Sequence, residues 1–425
     1  MKYTFKIASE FVSRFKGILL ISIGIGIAGF IFLKIVAPLL FAKEAEKIGI
    51  TGRYQVEGIP TYILSDVSHG LTKVSPNGEV APALASSWDV NNDGTIWTFH
   101  LKEGQTWQDG TKVTAESIKY NFQDVKVSYL DSKTIRFDLQ NPFSPFPTTL
   151  SRAIFKKGLL GLGNWKASNL SLVGGYVEKI TITNKDGDRK IFKFYPNLER
   201  TKLAFKLGEV NVIYDMLDPK PFDTWKTVNI TKSVSKNRFA AIFFNSELLD
   251  KATRQALSYT IDKSQFEEER AFGPLSPQSW AYNPQVKPYD YDPSKAGDLK
   301  KLNLKLTTTA PLIATAEKIV KNWKNLGINV DIQVVSVVPD DYQAFLAIYD
   351  IPSDPDQYTI WHSTQTSANI SKYKNPRIDK LLEDGRAQLN QDERKKIYLD
   401  FQRFLLEDAP AAFLYHPYSY TISRK

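Results

Sequence analysis

Residues 82–122, PALASSWDVNNDGTIWTFHLKEGQTWQDGTKVTAESIKYNF, decide how the rest of the chain is read. From residue 83 to 90 small or apolar positions alternate with polar ones. Asn92-Asp93-Gly94 supplies the chemistry of a tight turn, and 96–101 alternates again, which predicts two antiparallel strands. A second reversal is expected at Gln108-Asp109-Gly110. Thr114, followed by Glu116 and Ser117 and by apolar positions at Ala115, Ile118 and Phe122, predicts an N-capped amphipathic helix. Trp88, Trp97, Phe99 and Trp107 read as core aromatics of this hairpin, turn and helix.

Working outward, 425 residues exceed the roughly 250–300 at which a single hydrophobic core stops growing, so two or more domains are expected. The chain has no cysteine, which excludes disulfides, thiol nucleophiles, cysteine metal sites and lipid attachment through an N-terminal cysteine. Its four histidines, His69, His100, His362 and His416, show no helix-spaced ligand pattern, so neither a metal nor a cofactor is expected. The net charge is +9, and +5 of it lies in residues 1–43, where Lys2, Lys6, Arg14, Lys16, Lys34 and Lys43 face only Glu10. The small excess left over some 380 residues is a solvated surface and predicts no nucleic-acid partner.

Residues 17–33, GILLISIGIGIAGFIFL, carry no charge, and after Lys34 the apolar run resumes to Phe41. Together they exceed the ~20 residues that cross a bilayer. The basic residues before them place the N-terminus in the cytoplasm and the bulk of the chain on the extracytoplasmic face. The reading is a cytoplasmic tail over 1–16, a transmembrane helix or uncleaved signal anchor over 17–41 and a polar tether over 42–50. Cleavage near Ala37 or Ala42-Lys43-Glu44-Ala45 is the competing reading.

Further along, 61–68 predicts a helix stopped at Gly70, with a turn at Ser75-Pro76-Asn77-Gly78. Strands are expected on either side of Asp131-Ser132 and of Lys185-Asp186-Gly187, and a helix capped by Gly208 before a strand ending near Met216. An apolar strand over 239–244 leads through Asn245 to a helix over 250–260. Residues 274–293 form a long loop of the kind that is usually functional or disordered. A β-α-β unit over 302–335, two amphipathic helices over 375–408 and a strand over 411–415 complete the chain.

The ordered runs LASSWDV, DGTIWTFHLKEGQTWQDG and TKVTAESIKYNF resemble the signature of the extracellular solute-binding proteins of the peptide/nickel class, the receptors of ABC importers. Glu57-Gly58-Ile59-Pro60 and the strand, Asn245 and helix that follow residue 238 match the same pattern. Many relatives carry a longer helical insertion between Phe122 and Val125, so the small subdomain here is expected to be reduced. The resemblance implies an α/β, two-lobed periplasmic-binding-protein-like fold, type II with a small extra subdomain, behind one N-terminal transmembrane helix. Lobe I is expected over 51–240 plus 407–425, with the subdomain at about 74–150, and lobe II over 241–406.

The residues that draw attention as a site lie in IYDIPSDPDQYTIWHSTQ, 348–365, where Asp354 and Asp356 flank Pro355 and Tyr358, Trp361 and His362 follow. A carboxylate beside aromatic walls suits a cationic group, and an Asp-Pro-Asp turn is the alternative. In peptide-binding relatives the first aspartate of this segment pairs with the ligand's α-amino group, and by motif position that is Asp354. Backbone of Asp350, Ile351 and Pro352 on one side and of Glu57, Gly58 and Ile59 on the other would bond an extended peptide as an added strand. Trp280, Tyr282, Tyr358 and Trp361 are the expected pocket walls. The implied function is capture of oligopeptides by a monomeric receptor and delivery to ABC permease subunits. A tethered sensor and a receptor for a nickel complex or a sugar are the alternatives. No G-x-S-x-G elbow, HExxH helix or Gly-rich phosphate loop supports an enzyme, although a hydrolase is a remote further reading.

Overall fold

Four sheets organise the chain in the computed structural model, which describes residues 2–32, 34 and 45–425. The largest has seven strands in the order Val228–Val234, Tyr418–Arg424, Val212–Met216, Glu46–Thr51, Arg189–Tyr195, Tyr176–Thr183 and Lys166–Val173. Its middle strand is Glu46–Thr51, parallel to both neighbours. Ile48 and Ile50 are buried in it, and Gly49 lets the helix Leu198–Leu207 approach so closely that an added Cβ would lie 3.0 Å from Thr201. The expected tether over 42–50 is thus replaced, from Glu46, by the central strand of lobe I. Three isoleucine and glycine positions between charges are too short a pattern to announce a strand; the two flanking strands supply the hydrogen bonds that make it one.

Residues 42–44 of that tether, the apolar positions 33 and 35–41, and the cleavage sites at Ala37 and Ala42 lie outside the described residues. Ahead of them, one helix, Lys2–Ile31, runs without a break through the expected tail, and its Arg14–Ile31 portion is long and apolar enough to cross a membrane.

The small subdomain is a four-stranded antiparallel sheet, Ala85–Val90, Ile96–Leu101, Thr134–Leu139 and Val125–Asp131, next to the hairpin Thr72–Val74 and Val80–Pro82. Trp88 faces Phe99 and Val90 faces Trp97, the pairing that the alternation on either side of Asn92-Asp93-Gly94 predicts. Phe99, Phe137 and Phe146 meet edge-on in its core, with Trp107 buried beside them. The helix expected after Thr114 is a single 3-10 turn, Ala115–Ser117. Ser117 Oγ receives the Thr114 N–H as a cap should, but the chain must enter the strand Val125–Asp131 within eight residues. It runs extended instead, burying Ile118 and stacking Tyr120 on Phe122, whose rings lie 5.6 Å apart.

Lobe II holds a six-stranded sheet ordered Glu269–Arg270, Ala411–His416, Arg238–Phe244, Ala344–Asp350, Asn303–Thr309 and Asn329–Val335. Every residue from Phe239 to Phe244 is buried, because helices cover both faces. Ile313–Asn325 packs Ile319 and Trp323 on one face, and Pro376–Ala387 with Gln391–Asp408 packs Ile378, Tyr398 and Leu405 on the other.

The expected division at 407 shifts. Ala411–His416 pairs with Arg238–Phe244 in lobe II, and only Tyr418–Arg424 returns to the sheet of lobe I. The chain therefore crosses between lobes twice, at residues 235–237 and at Pro417, and the crossings lie side by side, the Ser235 N–H donating to the Pro417 carbonyl at 2.9 Å. This pair of crossings is the hinge.

Candidate functional site

The hinge forms one wall of a cleft of about 670 Å³, a volume ordinary for a small-molecule site. Val234, Lys236 and Asn237 come from the hinge, residues 74–78 from the subdomain hairpin, and Ser276, Gln278, Ser279 and 351–353 from lobe II. Local chemistry sets each wall. In the hairpin, Asn77 Oδ1 receives the Glu79 N–H and the Ser75 hydroxyl, and Gly78 takes φ of +85°, as the Pro-Asn-Gly turn predicts. The turn touches lobe II directly. The Trp280 N–H donates to the Asn77 carbonyl at 2.9 Å, and a Cβ on Gly78 would fall 2.4 Å from the Ser353 carbonyl oxygen. A second contact lies further round, where the Ser144 N–H donates to the Arg386 carbonyl at 2.7 Å.

Ile351 and Pro352, just past the end of the strand Ala344–Asp350, are among the residues that line the cleft, whereas Asp350 is not, and the Ile351 N–H donates to the Asn237 carbonyl at 2.8 Å. The Asp350 side chain turns to its cross-strand partner Arg238. Arg238 also reaches across to Asp215 of lobe I, which sits at a bulge with φ of +60° and accepts from Ser419 Oγ. Burial by itself would lower the Arg238 pKa, yet the hydrogen bonds that it donates to Asp350 and Asp215 raise it, so the guanidinium stays charged.

Asp354 is buried one layer behind the cleft wall, and it does not line the cleft. Its two carboxylate oxygens accept from the two terminal nitrogens of Arg394, at 2.9 and 2.5 Å, and one accepts again from the Asp356 N–H. Arg394 Nε donates to the Gly385 carbonyl, so the pair is closed on every side. Burial opposes the charge on Arg394, and Asp354 more than offsets that, raising its pKa above the usual arginine value. The carboxylate that the motif position suggests for a ligand's amino group is thus committed to a fixed guanidinium. The pair ties the segment that follows residue 353 to the helix Gln391–Asp408. Asp356 makes a parallel link to Arg386 at 2.9 Å, and burial raises its pKa against the pull of that arginine.

None of the four expected wall aromatics is among the residues that line the cleft. Trp280 is half-buried against the turn at Gly78, its ring edge-on to Tyr398 and 5.6 Å from the Arg394 guanidinium. Tyr358 is held between the Arg386 guanidinium, 3.8 Å from its ring centre, and His362, stacked at 3.9 Å. Trp361 is fully buried between Phe243 and Phe413 and is a core residue of lobe II, and Tyr282 packs on the same core. Neither borders the cleft. On the far side Ile59 is buried in the core of lobe I, while Glu57 and Gly58 are exposed on the 3-10 turn Val56–Gly58, outside the lining. The aromatic runs mark buried structure, because a tryptophan in a sequence carries no sign of which face it will present.

Sequence reasoning did not single out Asn77, Lys236, Asn237, Gln278 and Ser353, which supply much of the cleft's polar surface. The 274–293 loop and the Ser-Pro-Asn-Gly turn were visible signals for two of these walls; Lys236, between two strands, had none. Among the described residues no three His, Cys, Asp or Glu side chains come together in a way that would hold a metal ion.

Comparison with known proteins agrees with this geometry. Residues 79–177 and 184–370, more than half of the chain, match the family described as Bacterial extracellular solute-binding proteins, family 5 Middle. The probable D,D-dipeptide-binding periplasmic protein DdpA of Escherichia coli is 24% identical over 414 residues, covering 79% of each chain. Among solved structures, NikZ from Campylobacter jejuni in complex with Ni(L-His) superposes with a TM-score of 0.72 at 22% identity over 90% of this chain and 94% of that one. The oligopeptide-binding protein AppA from Bacillus subtilis in complex with a nonapeptide does so with a TM-score of 0.67 at 21% identity, with the same coverages. With two lobes, a double-stranded hinge and a polar cleft between them, this chain belongs to the bacterial extracellular solute-binding proteins, family 5.

Proposed function

We propose that this protein captures short peptides in the cleft and delivers them to the permease of an ABC importer, without transforming them. The observation that carries this reading is the composition of the cleft. The exposed residues Pro352 and Ser353 and the amide and hydroxyl groups of Ser75, Asn77, Asn237 and Gln278 surround a volume that lies between two lobes on a hinge. Such groups read what peptides share, their backbone N–H and C=O, and leave room for water around varied side chains. The two contacts between subdomain and lobe II, at Asn77 and at Ser144, belong to the closed arrangement, and opening about the crossings at 235–237 and 417 admits the ligand.

The segment Arg14–Ile31, preceded by basic residues, anchors the monomer in the membrane with the lobes on the extracytoplasmic face. Calorimetry of the full chain in detergent micelles against a mixed pool of tripeptides to pentapeptides is expected to give saturable binding, with the peptides recovered intact by mass spectrometry. Absence of binding sinks the peptide reading, and recovery of cleaved peptides sinks the claim that nothing is transformed. Protease accessibility on intact cells separates the anchored orientation from its inverse.

A further inference from the structure

The seven-stranded sheet of lobe I has two ends. At one, Val234 pairs with Tyr418 beside the hinge and the cleft; at the other, Val228 pairs with Arg424 and the strand Glu46–Thr51 begins. This second end is the base of the lobe. The Asn211 N–H donates there to the Lys47 carbonyl at 2.8 Å and the Arg424 N–H to the Asn211 carbonyl at 2.9 Å. Arg424 Nη2 reaches the Lys206 carbonyl at 3.3 Å, so the helix Leu198–Leu207 also ends at the base. The turn 184–188 belongs to it too, because Glu46 pairs with Lys190 and Lys190 with Ile182.

Lys166, Lys185, Arg189, Lys206 and Lys226 are exposed around this base, against Asp186 and Asp188. Glu46 and Glu209 are engaged, accepting from the hydroxyls of Tyr214 and Tyr195. Leu203 and Leu207, four positions apart and so on one face of their helix, stand 42% and 67% exposed. Solitary exposed leucines are ordinary, but this pair brackets Lys206 where the chain arrives from the anchor. The apolar run of the anchor ends at Phe41 and the strand starts at Glu46. Full extension between those two residues spans about 18 Å, or about two Debye lengths at physiological salt.

We propose that the base of lobe I docks on the bilayer, its cations on anionic lipid headgroups and Leu207 among them, with the cleft at the far end of the strands and open to the medium. The proposal rests on the anchored reading above and adds the orientation in which the receptor waits for its ligand. Each lysine or arginine near an anionic surface favours the docked state by about fivefold, and salt screens that attraction. A short tether keeps the local concentration of lipid high, so a contact too weak to recruit a free protein is well populated here. The exposed leucine adds apolar area at the depth of the headgroups.

The test uses the full chain, which lacks cysteine, labelled with a fluorophore through one introduced cysteine, T227C at the base or V173C at the cleft end of a strand. Each protein is reconstituted into vesicles of phosphatidylcholine, or of phosphatidylcholine with about 30% phosphatidylglycerol, and energy transfer to a headgroup acceptor is read. At about 0.05 M salt, transfer from position 227 is expected to be about twofold or more higher on the anionic vesicles, and to fall back at about 0.5 M salt. Transfer from position 173 is expected to stay level or fall. K185Q, K206Q and K226Q together are expected to abolish the lipid dependence at position 227 and to leave peptide affinity unchanged. Equal transfer from position 227 on both lipids, or a lipid dependence that survives the triple substitution, overturns the docked base and leaves the anchor standing. Transfer that rises at position 173 as well places the lobe on its side and overturns the orientation. Protein that does not float with either kind of vesicle overturns the anchored reading and this one together. The lipid and salt comparisons are made on one labelled protein, so they decide the matter even if the triple variant does not fold.

Discussion

At the scale of single residues the molecule turns on charges whose partners lie far away in sequence. Asp354 and Arg394 are separated by forty residues and meet in a nearly dry layer behind the cleft. Asp354→Asn leaves the guanidinium buried without a counter-charge, and a loss of about 3–5 kcal/mol is expected in urea unfolding. Replacing both residues by methionine is expected to recover most of that loss, because the desolvation of both ions is then no longer required. Peptide affinity in the double variant should stay within about threefold of the original, as befits a pair that holds the cleft wall.

His416 offers a second residue-scale outcome. It is buried beside the hinge with Nδ1 on the Arg238 carbonyl oxygen, 2.6 Å away. Burial lowers its pKa below 6.5, against the opposing effects of the Arg238 carbonyl and Glu269, while Lys236 adds to the lowering. In the unfolded chain it takes up a proton as pH falls through about 6.5, and in the folded protein it does so only at lower pH. Between those two values the unfolded state binds more protons, so stability decreases as pH falls and levels off once the folded protein is protonated as well. Unfolding midpoints at pH 7.5 and 5.0 should differ less in His416→Gln than in the parent. A residual slope is expected from His69, whose pKa burial also lowers.

At the scale of elements, the strand Glu46–Thr51 stands out, since it links two halves of the seven-stranded sheet that would otherwise have no hydrogen bonds to one another. Chains started at residue 45 and at residue 52 therefore differ sharply. The first is expected to melt cooperatively with the parent's circular dichroism, whereas the second loses the buried Ile48 and Ile50 and their ladder and is expected to be unfolded or aggregated. Equal melting of the two would return residues 46–51 to the role of a tether. The hairpin of the subdomain and the β-α-β unit of lobe II were legible in advance because their pairing is local and their apolar spacing regular. The helix after Thr114 was not, because its cap is genuine while the residues behind it answer to the packing of Tyr120 and Phe122.

At the scale of the whole molecule, the cleft is closed by contacts that no single element contains. Gly78 lies where the subdomain hairpin meets lobe II, and both its positive φ and its approach to Ser353 exclude a side chain. Gly78→Ala is expected to push the jaws apart. Peptide affinity should fall by about tenfold or more, and small-angle scattering of the peptide-bound protein should show a larger radius than the parent's. Unchanged affinity and radius would mean that the turn does not bear on closure.

The amino-acid sequence by itself determined the family, the α/β class and the local hairpins and caps, because these depend on spacing and turn chemistry within some tens of residues. Tertiary structure alone decided that 46–51 is a central strand, that Asp354 faces Arg394, that Trp361 faces the core and that Lys236 faces the cleft. Burial and ion pairing are properties of what surrounds a side chain, and those surroundings are assembled from residues that the linear order keeps far apart.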